Sequence, residues 1–113
     1  MLKLALSHYN DYMEFDEIQK KVVQNALDYG LKFNIKINQE FALLKLVEEI
    51  GEFAEAVLTF NGKSRPEKIL PKDKAREKVE QELADVIGMA IVSAHVFDID
   101  LEKALHEKWI KKQ

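Results

Sequence analysis

Along most of the chain, apolar residues return every three or four positions, the spacing at which side chains share one face of an α-helix. Ile18, Val22, Ala26 and Tyr29 set up a first helix, with Asp16 as its cap and Gly30 as its stop. Leu31, Phe33, Ile35 and Ile37 then alternate with polar residues as a strand would. No second convincing strand exists to pair with them, so this segment is expected to be an extended connection. A second helix starts after Asn38, a natural cap, and carries Leu43, Leu46, Val47, Ile50, Ala54, Val57 and Leu58 to about Phe60 before stopping near Asn61-Gly62. Residues from Gly62 to about Pro71 hold both prolines and read as a loop. Val79, Leu83, Val86, Ile87, Ala90 and Ala94 mark a third helix ending near Phe97. Asp100 caps a short fourth, through Leu101, Ala104, Leu105 and Trp109.

The fold class is therefore all-α, a bundle of about four helices, and the 113 residues are expected to form a single domain spanning 1–113. From Val86 to Phe97 the third helix is apolar almost all the way round, which predicts burial on more than one side. A chain this short does not easily surround a helix by itself, so the expected cover is a subunit interface, in a homodimer or homotetramer.

Composition narrows the chemistry. Hydrophobic residues make up 47% and charged residues 33%, with 17 Lys plus Arg against 20 Asp plus Glu. That suits a packed soluble protein and gives the whole molecule no electrostatic pull toward nucleic acid or anionic lipid. There are 0 cysteines, which removes disulfides, zinc–thiolate sites, iron–sulfur clusters and thiol catalysis. Any metal has to be held by oxygen or imidazole. No apolar run is long enough to span a membrane, and Met1–Leu6 is too short and too quickly polar for a signal peptide, so the expected location is cytoplasmic.

The most informative segment is Leu46-Val47-Glu48-Glu49-Ile50-Gly51-Glu52-Phe53-Ala54-Glu55, four carboxylates on a strongly apolar helix. A second acidic group follows in Glu80-Gln81-Glu82-Leu83-Ala84-Asp85. At about 100° per residue, Glu49 and Glu52 lie on one flank of the second helix's apolar stripe, and Glu82 and Asp85 on the corresponding flank of the third. If the two helices pack antiparallel through those stripes, four carboxylates surround one small volume and repel unless a cation joins them. Oxygen-only ligation favours Mg²⁺ or Mn²⁺ over Ca²⁺, which wants more ligands. Ala42 and Ala56 border the acidic flank and leave room for a bound group, while Met89, Ser93 and Val96 offer an apolar wall on which a base can rest.

The plainer alternative is a solvated helix face, with the acids paired to Lys45, Lys78 or Lys108. It is the better account of either group alone, and of Glu55 and Glu80 in any case. Two groups with the same i, i+3 spacing, both at the core boundary, favour a site.

These residues resemble a known family. Glu48-Glu49-Ile50-Gly51-Glu52 followed by Glu82-Leu83-Ala84-Asp85 is similar to the E-E-x-x-E … E-x-x-D signature of the MazG-like all-α nucleoside triphosphate pyrophosphohydrolases. Lys45 to Ala56 looks like the first motif helix, Glu82 to Ile87 like the second, and Ile99-Asp100-Leu101-Glu102-Lys103-Ala104 like the entry to the last helix, with Lys108 at the following lysine. The resemblance covers about residues 40 to 110. It implies that Glu49, Glu52, Glu82 and Asp85 are magnesium ligands and that a nucleoside triphosphate is split into monophosphate and pyrophosphate, and the expected role is to clear unwanted or excess nucleotides. Glu48, beside the ligands but turned away from their mean direction, is a candidate to orient or deprotonate the attacking water; a supporting or surface role is equally open.

Phosphate charge also needs cations. Lys63, Arg65, Lys68, Lys72, Lys74, Arg76 and Lys78 face only Glu67, Asp73 and Glu77 in the connection and the start of the third helix, so a locally basic segment sits next to the acidic one. It is placed to close over phosphates, although an ordinary soluble loop explains any one of these residues. Lys45, Lys78 and Lys108 are better placed on helices, and the resemblance favours Lys108. Thr59-Phe60-Asn61 stands where some relatives carry a tryptophan, so Phe60 either stacks on a base or closes the core. His8, His95 and His106 form no pair at a metal spacing and are not expected to be ligands. The alternatives to a (d)NTP pyrophosphohydrolase are a phosphoribosyl-ATP-type pyrophosphatase and a non-catalytic nucleotide- or metal-binding module.

Overall fold

The computed structural model describes residues 12–111, so the expectations that concern Met1–Leu6 and His8 lie outside the described residues. As predicted, the chain is all-α, with no strand among the described residues. The helices are α1 (Phe15–Phe33), α2 (Gln39–Phe60), α3 (Lys72–Val96) and α4 (Leu101–Leu105). A 3₁₀ turn, Pro66–Lys68, lies in the loop before α3, and α4 runs on into a π-helical turn, His106–Ile110. No helix among the described residues is long and apolar enough to cross a membrane.

Three boundaries follow side-chain chemistry closely. Asn38 caps α2, its Oδ1 accepting the Phe41 N–H at 2.9 Å, and Asp100 caps α4 by accepting the Lys103 N–H at 3.0 Å. Gly62, just past α2, takes φ +69°, a conformation that favours glycine at a helix exit.

The first helix departs from expectation at both ends. Glu14, not Asp16, holds the cap position, while Asp16 and Glu17 sit in the first turn, where negative charge suits the helix dipole. Gly30 does not stop the helix. It is buried within α1, and a Cβ there would lie 2.7 Å from the Ile35 carbonyl oxygen and 2.8 Å from Ile37 Cγ1. The residue is glycine because the chain folds back across it. The left-handed exit is made by Asn34 instead, at φ 55°, with Asn34 and Ile35 both donating to the Gly30 carbonyl. Leu31 and Phe33 consequently belong to the last turn of α1, and only the rest of the alternating stretch is a connection. Likewise the fourth helix loses α geometry after Leu105, leaving Trp109 exposed on the π-helical turn.

α2 and α3 form an antiparallel hairpin: Phe60 meets Lys72 at the loop end, and Glu52 and Glu49 meet Glu82 and Asp85 further along. α1 packs against α3. The third helix is thus covered on more than one side within the chain, with Ile91, Val92 and Ala94 buried. The contact with α2 is made differently from the sequence expectation. α2 buries Ala42, Glu49 and Ala56, seven residues apart and so close to one line along the helix, against the line that includes Ala75 and Glu82 on α3. The large apolar stripe of Leu43, Val47, Ile50 and Leu58 points away and stays half to three-fifths exposed.

Candidate metal centre

Small side chains bring the two backbones together where the carboxylates are. Ala42 and Ala56 flank Glu49 on α2, and Ala75 lies two turns before Glu82 on α3, so the glutamates sit inside the helix contact rather than on its flank. Spacing i, i+3 then carries Glu52 and Asp85 to the solvent side of the same volume. One carboxylate oxygen from each of Glu49, Glu52, Glu82 and Asp85 lies within 4.8 Å of the others. All four predicted ligands are therefore brought together, two buried and two exposed. Ala42, fully enclosed by this packing, leaves no room for a ligand, whereas Ala56 reaches the edge of a cleft.

The ionic surroundings repeat on the two helices. Lys78 Nζ lies 3.0 Å from Glu82 Oε1, and Lys45 Nζ lies 3.9 Å from Glu49 Oε1, each a lysine four residues before its glutamate. The pattern Ala-x-x-Lys-x-x-x-Glu-x-x-acid thus occurs twice, as Ala42, Lys45, Glu49, Glu52 and as Ala75, Lys78, Glu82, Asp85. In each copy the other glutamate oxygen, Oε2, is buried with no hydrogen-bond partner among the described residues. Burial, and then the negative charges of Glu52 and Asp85, push the Glu49 carboxyl above the usual carboxylate range. Two orphaned buried oxygens amid four like charges are the donor set a hard divalent cation fits: oxygen only, with an open side toward solvent. His95 and His106 contribute nothing to it.

The remaining predicted residues are distributed as follows. Glu48 is exposed and bound to Lys45, its Oε1 2.6 Å from Nζ, next to the quartet but outside it. The glutamate carboxylate, more than any other charge nearby, holds the Lys45 ammonium above its ordinary pKa, and Glu82 does the same for Lys78. Phe60 has Lys72 over one ring face, 3.8 Å from the centroid, while Lys72 also donates to the Phe60 carbonyl oxygen at 3.3 Å. Lys108 is exposed on the π-helical turn and lines neither of the clefts beside the quartet. Glu55 and Glu80 are exposed, as expected.

Two clefts flank the quartet. One, of about 550 Å³, is bounded by Glu52 and Glu82 and by Lys63, Arg65, Lys68 and Lys78. The other, about 340 Å³ between α1 and α3, is bounded by Glu49 and Asp85 and by Asn25, Ala26, Gly88 and Met89. Of the apolar wall expected on α3, Met89 is present; Ser93 Oγ donates to the Met89 carbonyl of its own helix, and Val96 lies at a different depression. The α1 contribution of Asn25 and Ala26 is not legible in the sequence, because Ala26 reads as an ordinary core position and nothing local singles out Asn25.

The family model described as the MazG nucleotide pyrophosphohydrolase domain matches residues 38–113, which include α2, α3, α4 and the whole quartet. No curated protein and no solved structure matches the chain.

Proposed function

The chain belongs to the MazG nucleotide pyrophosphohydrolase family, and on that premise we propose that it hydrolyses a ribo- or deoxyribonucleoside triphosphate to the monophosphate and pyrophosphate, using Mg²⁺ or, in its place, Mn²⁺. The observation that carries this reading is the quartet of Glu49, Glu52, Glu82 and Asp85, gathered within 4.8 Å with two buried carboxylate oxygens unpartnered. Those four residues would hold the metal. When bound, it supplies positive charge for the phosphate oxygens and lowers the pKa of water nearby.

The chain's own groups do the rest. Water adds to the α-phosphorus, the bond from that phosphorus to the oxygen bridging it to the β-phosphorus breaks, and pyrophosphate leaves with that oxygen. Glu48 is the candidate to accept the water's proton, through the carboxylate oxygen that Lys45 does not hold. Lys78, already aimed at Glu82, stands at the mouth of the larger cleft to meet phosphate. The proposed role is removal of unwanted or excess nucleotides in the cytoplasm.

A homodimer or homotetramer belongs to the same proposal. Leu43, Val47 and Ile50 on α2, with Leu83 and Ile87 on α3, form exposed apolar surface next to the quartet's helices, and no large side chain among the described residues is fully buried. A second copy is the cover such a face suits.

Screening a panel of (d)NTPs with Mg²⁺ tests the reading. Pyrophosphate release from at least one is expected. Orthophosphate release would place the cut at another bond and overturn the mechanism, and binding without turnover across the panel would replace the enzyme by a nucleotide sensor.

A further inference from the structure

The two clefts meet the quartet on opposite edges and differ in charge. The larger one carries Lys63, Arg65, Lys68 and Lys78 against Glu52, Glu55, Glu67 and Glu82, a balance of four and four. Arg65 is engaged by Glu67 at 3.3 Å and Lys78 by Glu82, but Lys63 and Lys68 have no carboxylate partner among the described residues. A divalent cation on the quartet would tip this balance to positive. No lysine or arginine lines the smaller cleft: its ionisable lining groups are Glu49, which Lys45 reaches at 3.9 Å, and Asp85, and the rest of its wall is Val22, Ala26, Gly88, Met89 and their neighbours. At about 340 Å³ it falls at the small end of the range for organic ligands, about 300–1,000 Å³.

Two features suit that cleft to a nucleoside. Gly88 lines the cleft without a side chain, and a Cβ there would meet only Val22 Cγ1 within 4 Å, at 3.9 Å, so a larger side chain at this position would take up cleft space. The Asn25 side chain, exposed at its rim, has no hydrogen-bond partner among the described residues. Its carboxamide presents a donor and an acceptor side by side, complementary to the paired donor and acceptor on the edge of a nucleobase.

From this asymmetry we infer that the substrate lies across the quartet in one direction, its terminal phosphates among Lys63, Arg65 and Lys68 and its nucleoside in the cleft of Asn25 and Gly88. The inference rests on the nucleotide reading above and fixes which end of the molecule each cleft takes. The reverse orientation would put a multiply charged pyrophosphate beside Glu49 and Asp85, where no lysine or arginine lines the wall and Lys45 is already held by Glu48, and would leave Lys63 and Lys68 with an uncharged base. The leaving group then departs toward the loop that joins α2 to α3, and base selectivity is set by α1.

Calorimetric binding of the two products separately, in constant Mg²⁺, tests the direction without requiring turnover. The probes are magnesium pyrophosphate and the nucleoside monophosphates. The double variant Lys63→Ala/Lys68→Ala alters exposed loop positions and is expected to weaken pyrophosphate binding by about tenfold or more, the scale of lost ammonium–phosphate hydrogen bonds. Its monophosphate affinity should stay within about twofold, a change worth less than half a decade. Gly88→Val should do the opposite, and Asn25→Ala carries that arm if Gly88→Val does not fold. Equal losses for both products in the loop variant, or a loss confined to the monophosphate, would overturn the orientation, as would a wild type that binds no magnesium pyrophosphate. None of these results touches the nucleotide reading itself, which stands or falls on pyrophosphate release from the triphosphate panel.

Discussion

Each buried glutamate of the quartet gives one oxygen to a lysine of its own helix and leaves the other bare inside the protein. Without metal, four like charges in this space cost stability, and neutralising one of them relieves the strain. Glu52→Gln and Glu82→Gln should therefore lose most turnover, because an amide is a poorer magnesium ligand than a carboxylate. In EDTA both variants should melt no lower than the wild type, read by circular dichroism. A clear loss of metal-free stability would instead mark these residues as ordinary structural ion pairs. The quartet was legible in the sequence because ligand spacing is local: i, i+3 acids on two helices place themselves. Asn25 and Gly88 were not, since the cleft they line exists only once α1 lies on α3. Phe60 shows the same limit, as its ring is met by Lys72 from beyond the loop, a partner that periodicity does not reveal.

At the level of elements, the helices followed from apolar periodicity and capping chemistry, and the errors have physical causes. Gly30 read as a helix stop because glycine so often ends a helix, but here it answers to the close crossing of Ile35 and Ile37. Gly30→Ala is expected to destabilise the fold by about 1–3 kcal/mol, since a backbone carbonyl must move to admit the methyl group. Urea denaturation measures it, and a neutral or stabilising result would mean the crossing is looser than described. Asn38→Ala should cost about 1 kcal/mol through the lost cap. The face that α2 turns to α3 was the less legible feature. Its most hydrophobic stripe suggests an inward face, yet Ala42, Glu49 and Ala56 point inward. Close approach of two helices around charged ligands needs small side chains, and the repeated Ala-Lys-Glu pattern was the available signal.

For the whole molecule, the outward stripe of α2 leads to a prediction about assembly. The wild type should scatter light as a dimer or tetramer at micromolar concentration, and Val47→Glu, which places a charge in the centre of the exposed stripe, should lower its mass. A compact wild-type monomer would contradict the assembly while leaving the site intact. The chemistry at the quartet depends on its binding a divalent cation. Thermal melting of the wild type and Glu52→Gln across a Mg²⁺ titration into the millimolar range tests it most directly. A stabilisation of about 2.7 kcal/mol is expected for the wild type once free Mg²⁺ reaches about 100 times its dissociation constant, with a smaller gain for the variant. A wild-type melting temperature that does not move across the titration would contradict it.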